Sequence, residues 1–177
     1  DYALTFVPAT YTVEEKLVQS GFQFAADTKT ATYGDADFSL PATGAAEGST
    51  VTYTSSDETV ATVDSAGKVH ILKAGETVLT ATASSTADYL EAAARCTLTV
   101  QPKTLQSGDL EKTGGAITKV YDGTQAASGI TVAVKPGSLV GQDALAITGT
   151  AAYNSANVNE ANTITFTPDA ITQGNYR

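Results

Sequence analysis

The stretch 51–83, VTYTSSDETVATVDSAGKVHILKAGETVLTATA, alternates apolar and polar residues in short runs that are separated by the turn segments SSDE, SAGK and KAGE. Its apolar residues recur at a spacing of two, which puts each set on one face of a strand. These sets are Val51 and Tyr53, then Val69 and Ile71, then Leu79, Ala81 and Ala83. Half-buried antiparallel strands have this pattern, with one face on a core and the other in water. The stretch therefore predicts an antiparallel sheet.

The same pattern extends over most of the chain and predicts two sets of short strands. The first set is 22–25, 37–40, 51–54, 60–63, 68–72, 77–83 and 93–100. The second set is 116–121, 130–134, 144–153, 163–167 and a start near Ile171. Short strands with turns at this spacing are typical of β-sandwiches. Residues 101–104, QPKT, form a short linker between the sets, too short for free rotation.

Composition excludes several classes of partner. The chain has 177 residues and a formal net charge of −9, so it would repel a nucleic-acid backbone. It contains no apolar run near the roughly 18 residues of a membrane span. Cys96 is the single cysteine, so no disulfide can form within the chain. Since Cys96 shares a face with Leu98 and Val100, it is predicted to be a small apolar core residue.

Two runs of sequence resemble known families. The run TSSDETVATVDSAGKVHILKAGETVLTATA resembles the group 2 bacterial immunoglobulin-like repeats of surface adhesins, and the preceding ATYGDADFSLPATG resembles the entry strand of a variant of that family. The phrases KVYDGT, SGITVAVKPG, GQDALAITGTAAY, NVNEANTITF and ITQGNY resemble the YDG repeat, named for a triplet that is Tyr121, Asp122 and Gly123 here. The resemblances imply an all-β chain, two immunoglobulin-like antiparallel β-sandwich domains in tandem.

We divide the chain accordingly. Residues 22–103 are predicted to be the bacterial Ig-like domain, and 104–177 the YDG-like domain without its last strand. Residues 1–21 are predicted to be the orphan terminal strand of a preceding YDG-like repeat plus a weakly structured linker. Two arrangements are open for residues 2–13. They complete the second domain of another copy by strand exchange, or they pack along the first domain.

Several motifs contain residue types that could support catalysis, sorting or metal binding, but we prefer a structural interpretation of each. Leu40 to Gly44 match the LPxTG sorting signal, but the chain continues into predicted sheet, which argues against that role. His70, the only histidine, is predicted to face solvent. Ser55 to Glu58 are predicted to form a turn rather than a hydroxyl and carboxylate cluster. Weak calcium binding by Asp35, Asp37 or Asp143 is the remaining metal hypothesis, and we assign no metal site.

The second domain offers two further candidates. Asp122 and Gly123 predict a tight turn, with the ring of Tyr121 buried and its hydroxyl at the rim. Lys119, with Asn162 and Glu160, has the residue types of the Lys–Asn cross-links that occur in some surface β-domains. A solvated lysine at a strand margin is the preferred interpretation.

We therefore predict no catalytic, cofactor-binding or metal-binding residue, no cofactor, and no enzyme activity. The predicted function is a structural spacer or stalk in a large, adhesin-like bacterial protein, extracellular at the cell surface or cell wall. The alternative is an adhesive module that recognises host glycan or protein through the loops at the end of a sandwich. The expected partners are neighbouring repeats, without nucleic acid and without a membrane span in this chain.

Overall fold

The computed structural model describes residues 14–171 and 174–177. The predictions for residues 1–13 lie outside the described residues. Within them the chain is all-β, with one short 3₁₀ helix at Ser107–Asp109. No helix in this part of the chain is long and apolar enough to cross a membrane.

The first domain is a sandwich of two sheets. Its strands are β1 Thr28–Thr32, β2 Phe38–Ser39, β3 Val51–Ser55, β4 Ala61–Val63, β5 Lys68–Ile71, β6 Gly75–Ala83 and β7 Ala92–Gln101. One sheet has the order β1-β7-β6-β3 and the other the order β2-β5-β4. The pair β1 and β7 is parallel, and the other pairs are antiparallel.

The core lies between these two sheets and contains the predicted strand faces. Val69 on one sheet, and Cys96 and Leu98 on the other, are 0% exposed. The alternation in β6 and β7 is regular, because every second residue from Thr77 to Ala83 and from Ala94 to Val100 is buried. The prediction that Cys96 is a small core residue is thus confirmed.

Two features at the start of this domain differ from the prediction. Strand β1, TKTAT, was not predicted, because Ala31 is its only buried residue. Its position comes from the parallel ladder with β7, from Thr28 opposite Thr97 to Thr32 opposite Gln101. The predicted strand 22–25 reduces to a single bridge between Gln23 and Thr43.

Residues 17–21 contact the first domain instead of forming a weakly structured connection. Leu17 forms a parallel bridge with Tyr89. The side chain of Gln19, 7% exposed, donates from Nε2 to the carbonyl oxygens of Ser84 and Leu90, at 3.2 and 2.7 Å. Its Oε1 accepts the backbone N–H of Ala46 at 2.8 Å. This polar network ties the entering segment to the domain.

The second domain has fewer strands. They are β8 Leu110–Gly114, β9 Thr131–Val134, β10 Gly149–Tyr153 and β11 Ile164–Pro168. They form two antiparallel pairs, β8 with β9 and β10 with β11. Strands β9 and β11 coincide with the predicted strands 130–134 and 163–167, whereas only the last part of the predicted strand 144–153 is a strand.

The predicted strand 116–121 is wrong. This segment is irregular, and Val120 and Tyr121 are 90% and 63% exposed. The prediction of a buried Tyr121 ring is therefore also wrong. The strand in this region is β8, a few residues earlier, whose sequence LEKTG has no apolar alternation. The alternation of apolar and polar residues gave a wrong prediction here, because the apolar residues of 116–121 lie in a loop and are not part of a β-ladder.

Candidate functional site

His70 and Asp37, two of the residues considered for chemistry in the first domain, lie together at its surface. His70 is on the solvent face of β5, as predicted, and its Nδ1 contacts Asp37. Lys68 forms an ion pair with the same carboxylate at 3.0 Å. Hydrogen bonds from His70 and then from Lys68 lower the pKa of Asp37. The arrangement is an exposed charge cluster.

The LPxTG match is part of the framework of the first domain. The backbone N–H of Leu40 donates to the carbonyl oxygen of Gly67, and Thr43 pairs with Gln23 in both directions. Gly44 has φ of +84° and lies against the backbone of Gly21, where a Cβ would not fit. The glycine of the motif is therefore required by a close backbone approach.

The three aspartates considered for calcium are not brought together. Asp35 accepts the backbone N–H of Thr32, Asp37 contacts Lys68 and His70, and Asp143 lies in the second domain. Across residues 14–171 and 174–177, no group of three or more His, Cys, Asp or Glu side chains is arranged to hold a metal ion.

Lys119 organises the loop around the Tyr-Asp-Gly triplet. Its Nζ donates to Asp122 Oδ1 and to the carbonyl oxygens of Thr124 and Ala126, each at 2.8 Å. The hydrogen bond from Lys119, followed by those from Thr124, lowers the pKa of Asp122 to about 2. Lys119 thus holds this loop together through hydrogen bonds, although the side chains of its neighbours Val120 and Tyr121 are exposed.

The residues considered for a cross-link are bonded to other partners. Glu160 accepts hydrogen bonds from Ser155 and Asn157. The backbone N–H of Asn162 donates to the side chain of Asn154 at 3.0 Å. The amine of Lys119 is occupied by the acceptors of its own loop.

A buried, hydrogen-bonded site joins the two domains. Tyr33, which follows β1, donates its hydroxyl to Asp143 Oδ2 at 2.8 Å, and Tyr176 donates to the same oxygen at 2.6 Å. The backbone N–H of Val140 donates to the Tyr176 hydroxyl at 2.8 Å. The two rings meet edge to face, with centroids 5.7 Å apart. We call Tyr33, Asp143 and Tyr176 the tyrosine joint.

Burial keeps both phenols of the tyrosine joint protonated. Tyr33 and Tyr176 are 8% and 3% exposed. Burial, followed by the hydrogen bond to Asp143, raises the pKa of Tyr176 to about 12, and the same causes raise the pKa of Tyr33. Both hydroxyls are consequently donors at neutral pH, and Asp143 is the acceptor they share.

Two family models match consecutive parts of the chain. The bacterial Ig-like domain (group 2) matches residues 23–94, and the YDG domain matches residues 101–177. The chain carries a group 2 bacterial Ig-like domain followed by a YDG domain. Comparison with curated proteins gives no match.

The end of the YDG match contributes directly to the joint. Lys103 pairs in parallel with Tyr176, through Lys103 N–H to Asn175 O at 2.9 Å and Arg177 N–H to Lys103 O at 3.0 Å. The side-chain oxygen of Asn175 accepts the backbone N–H of Ala74, in the Ig-like domain, at 2.9 Å. Residues 175–177 therefore bond to the linker and to the Ig-like domain.

Apolar packing completes the joint. Leu105, Leu139, Val140 and Leu145 of the YDG domain pack against the core cluster that includes Tyr33. Gly34 has φ of +93°, and a Cβ built on it would lie 2.5 Å from Cγ2 of Val140. The glycine lets the YDG domain approach the turn that follows β1.

Sequence reasoning did not find this joint. The sequence presents Asp143 as a candidate calcium ligand and Tyr176 as part of the phrase ITQGNY, and neither pattern predicts that they meet. The available signals were the YGD and GNY phrases, in which Tyr33 and Tyr176 occur, and the short linker 101–104. No pattern in the sequence couples Tyr33 to a residue 110 positions later.

Proposed function

We propose that this chain is a non-catalytic spacer in a large, adhesin-like bacterial protein, extracellular at the cell surface or cell wall. Bacterial Ig-like domains of this group are typical of extracellular bacterial proteins, and both domain types are consistent with a surface or repeat protein. The single observation that carries the spacer function is the tyrosine joint. A buried, hydrogen-bonded joint holds two domains at a fixed angle.

Energetic considerations support a stiff joint. Rotation of one domain against the other would separate Asp143 from the phenol of Tyr33, and Asn175 from the N–H of Ala74. Each buried polar group left without a partner costs about 1–3 kcal/mol. The linker adds a second constraint, because Lys103 and Leu105 are bonded to residues 175–177.

The positions of the chain segments favour an end-to-end arrangement. Tyr33 follows Thr32, which pairs with Gln101, and Ala74 precedes Gly75, which pairs with Val100, so both lie at one end of the Ig-like sheet. The entering segment meets the hairpin of β6 and β7 at the opposite end, where Leu17 bonds beside Tyr89. The nine steps along β7 place these ends about 30 Å apart. Such an arrangement supports a role in extending a surface protein.

The test is the distribution of distances between the domains. Spin labels at Thr52→Cys and Thr165→Cys, both on exposed strand positions, report the distance by double electron–electron resonance. Cys96 is buried, and burial raises the pKa of its thiol, so it should label poorly. We expect a single narrow distribution that Asp143→Ala broadens and that the exposed control Asp169→Ala leaves unchanged. A distribution that is already broad in the parent protein would contradict the spacer function.

A binding module is the second candidate, favoured by one surface. Exposed apolar side chains cluster at the end of the YDG domain away from the joint, namely Ile117, Tyr121 and Val158. They line an open pocket of about 220 Å³ together with Tyr153. Exposed apolar clusters on loops are frequent in interaction surfaces, which supports recognition of host glycan or protein.

A glycan array and a host-protein binding screen separate the two candidates. The binding module predicts saturable binding that Tyr121→Ser abolishes, while Val18→Ser, at an exposed position of the segment that precedes the Ig-like domain, has no effect. A narrow distance distribution without binding in either screen would favour the spacer alone.

A further inference from the structure

The YDG domain has an open apolar cleft between its two pairs of strands. The cleft has a volume of about 510 Å³ and is lined on one side by Leu110 and Val132, and on the other by Ile164 and Phe166. In a closed sandwich these inward-facing side chains would be covered by the facing sheet. Here they border an accessible seam.

Comparison with the Ig-like domain identifies what would close the seam. In that domain β7 lies between β1, to which it is parallel, and β6. We align the linker at Lys103 with β1 and β11 with β6, which puts the equivalent of β7 between the linker and β11. Tyr176 begins a parallel pairing with Lys103 just as β7 pairs with β1. Among the described residues, no strand continues this pairing along β11.

The free edge of β11 can be assigned residue by residue. Asp169 N–H donates to Thr148 O, and Asn154 N–H donates to Thr163 O, so the odd-numbered residues of β11 bond to β10. Antiparallel bonding alternates, so the backbone N–H groups of Ile164 and Phe166 point to the free edge. Pro168, without an N–H, ends the strand, as is common in edge strands. An added strand would find two donors, beside an apolar cleft, that pair with no other residue of 14–171 or 174–177.

We propose that residues 2–7 of a second copy of this chain bind along β11 and close the cleft. The segment YALTFV places Tyr2, Leu4 and Phe6 on one face, which matches the apolar lining, and Ala3, Thr5 and Val7 on the other. Pro8 follows and cannot extend the ladder as a donor. The added strand runs antiparallel to β11 and parallel to the linker, in the place that β7 occupies in the Ig-like domain.

The reach of the chain requires a second copy. Leu17 is bonded beside Tyr89, at the end of the Ig-like domain away from the joint. The added strand runs away from the joint, so Val7 lies at its outer end, about 50 Å from Leu17 along the domain axis. The ten residues from Val7 to Leu17 span at most about 35 Å. Residues 2–7 consequently cannot reach their own β11.

The resulting interface joins the entering end of one copy to the YDG domain of the next. Donor and acceptor are different surfaces, so each copy has one of each and the contact repeats head to tail. Main-chain hydrogen bonds to β11 contribute affinity, and the pockets that accept every second side chain fix the register of the added strand.

Light scattering coupled to size exclusion tests the assembly. We expect the parent chain to form species whose mass increases with concentration. The variant Leu4→Asp/Phe6→Asp places two charges in the cleft and should be monomeric at every concentration. The matched control Ala3→Asp/Thr5→Asp carries the same charge on the outward face and should assemble as the parent does. A monomeric parent chain, or assembly that persists in Leu4→Asp/Phe6→Asp, would overturn the proposal.

Amide exchange locates the bound strand. A peptide of residues 1–13 is added to the monomeric variant Leu4→Asp/Phe6→Asp, with a scrambled peptide as control. We expect saturable binding that slows exchange of the Ile164 and Phe166 amides at least tenfold, while the Thr165 and Thr167 amides, already bonded to β10, change little. Absence of saturable binding, or protection elsewhere without protection at Ile164 and Phe166, would contradict the assignment.

Discussion

Both domains are built from short, mostly antiparallel strands, but they differ in how completely their sheets enclose a core. In the Ig-like domain β7 lies between two strands and buries Ala94, Cys96, Leu98 and Val100. In the described part of the YDG domain, the buried apolar residues are Ala127 and Tyr176, and Tyr176 belongs to the core cluster shared with the Ig-like domain. Among the described residues, the domain with a central strand has a closed core and the domain of two separate strand pairs does not.

The largest expected effect tests this difference directly. Leu98→Ala removes a side chain that is 0% exposed and should destabilise the Ig-like domain by about 2–5 kcal/mol, because it leaves a cavity in a closed core. Ile164→Ala removes a side chain that borders the open cleft and should lower the stability of the YDG domain by less than about 1.5 kcal/mol. Urea unfolding of the monomeric variant Leu4→Asp/Phe6→Asp, with and without each substitution, measures both losses of stability. Equal losses would mean that the YDG domain is closed in solution.

Substitutions in the tyrosine joint should cause a smaller loss of stability. Tyr176→Phe removes a donor to Asp143 and the acceptor of the Val140 N–H, so the YDG domain should lose about 1–3 kcal/mol. Tyr33→Phe removes one of the two donors to Asp143, while Tyr176 still donates to it. The expected loss of stability is therefore about 1 kcal/mol. Urea unfolding followed at the YDG domain measures both variants. A larger loss for Tyr33→Phe would contradict the assignment of Tyr176 as the centre of the joint.

A pair of glycines separates local strain from contact between the domains. Gly34 and Gly48 have φ of +93° and +80°, so alanine at either position should cost about 1–2 kcal/mol in the Ig-like domain. A Cβ at Gly48 would lie 4.0 Å from Cγ2 of Thr86, an ordinary contact, whereas one at Gly34 would lie 2.5 Å from Cγ2 of Val140. We expect Gly34→Ala alone to broaden the interdomain distance distribution. The same broadening by Gly48→Ala would show that strain within the Ig-like domain, and not the contact, is responsible.

The smallest effect is a dependence on pH. The folded-state pKa of Tyr176 is about 12, above the usual 10, so the stability that this group contributes is fully present below pH 10. That contribution is lost as the pH rises from 10 towards 12, because the unfolded chain releases the proton first. Unfolding of the parent and of Tyr176→Phe should therefore converge over this range, and a constant difference up to pH 12 would argue against a protonated phenol in the joint.

Alternation in the sequence predicted the Ig-like domain well because its strands are half buried. The faces of β5, β6 and β7 follow directly from spacing at Val69, Leu79 and Leu98. Strand β1 could not be predicted, because its place depends on the ladder with β7 and only Ala31 is buried.

The YDG domain was harder to predict for a related physical reason. Residues 116–121 have the composition of a strand, but Lys119 binds the following loop, and no neighbouring strand pairs with them among the described residues. The tyrosine joint was not predictable, since it depends on how two domains distant in sequence meet. Spacing of residues reports a strand face, and it carries no information about an acceptor such as Asp143 on another domain.

The parallel pairing of β1 with β7 has a consequence for a protein under tension. The chain enters the ladder at Thr28 and leaves it at Gln101, and the two strands run in the same direction towards the joint. A pull on the two ends drags β1 and β7 past each other along their axes, in shear. The bonds of all five residue pairs then bear the force at once, whereas peeling would break them one by one. The Ig-like domain is thus oriented to resist extension by a slow rate of forced unfolding, the quantity that matters for a tether pulled by flow.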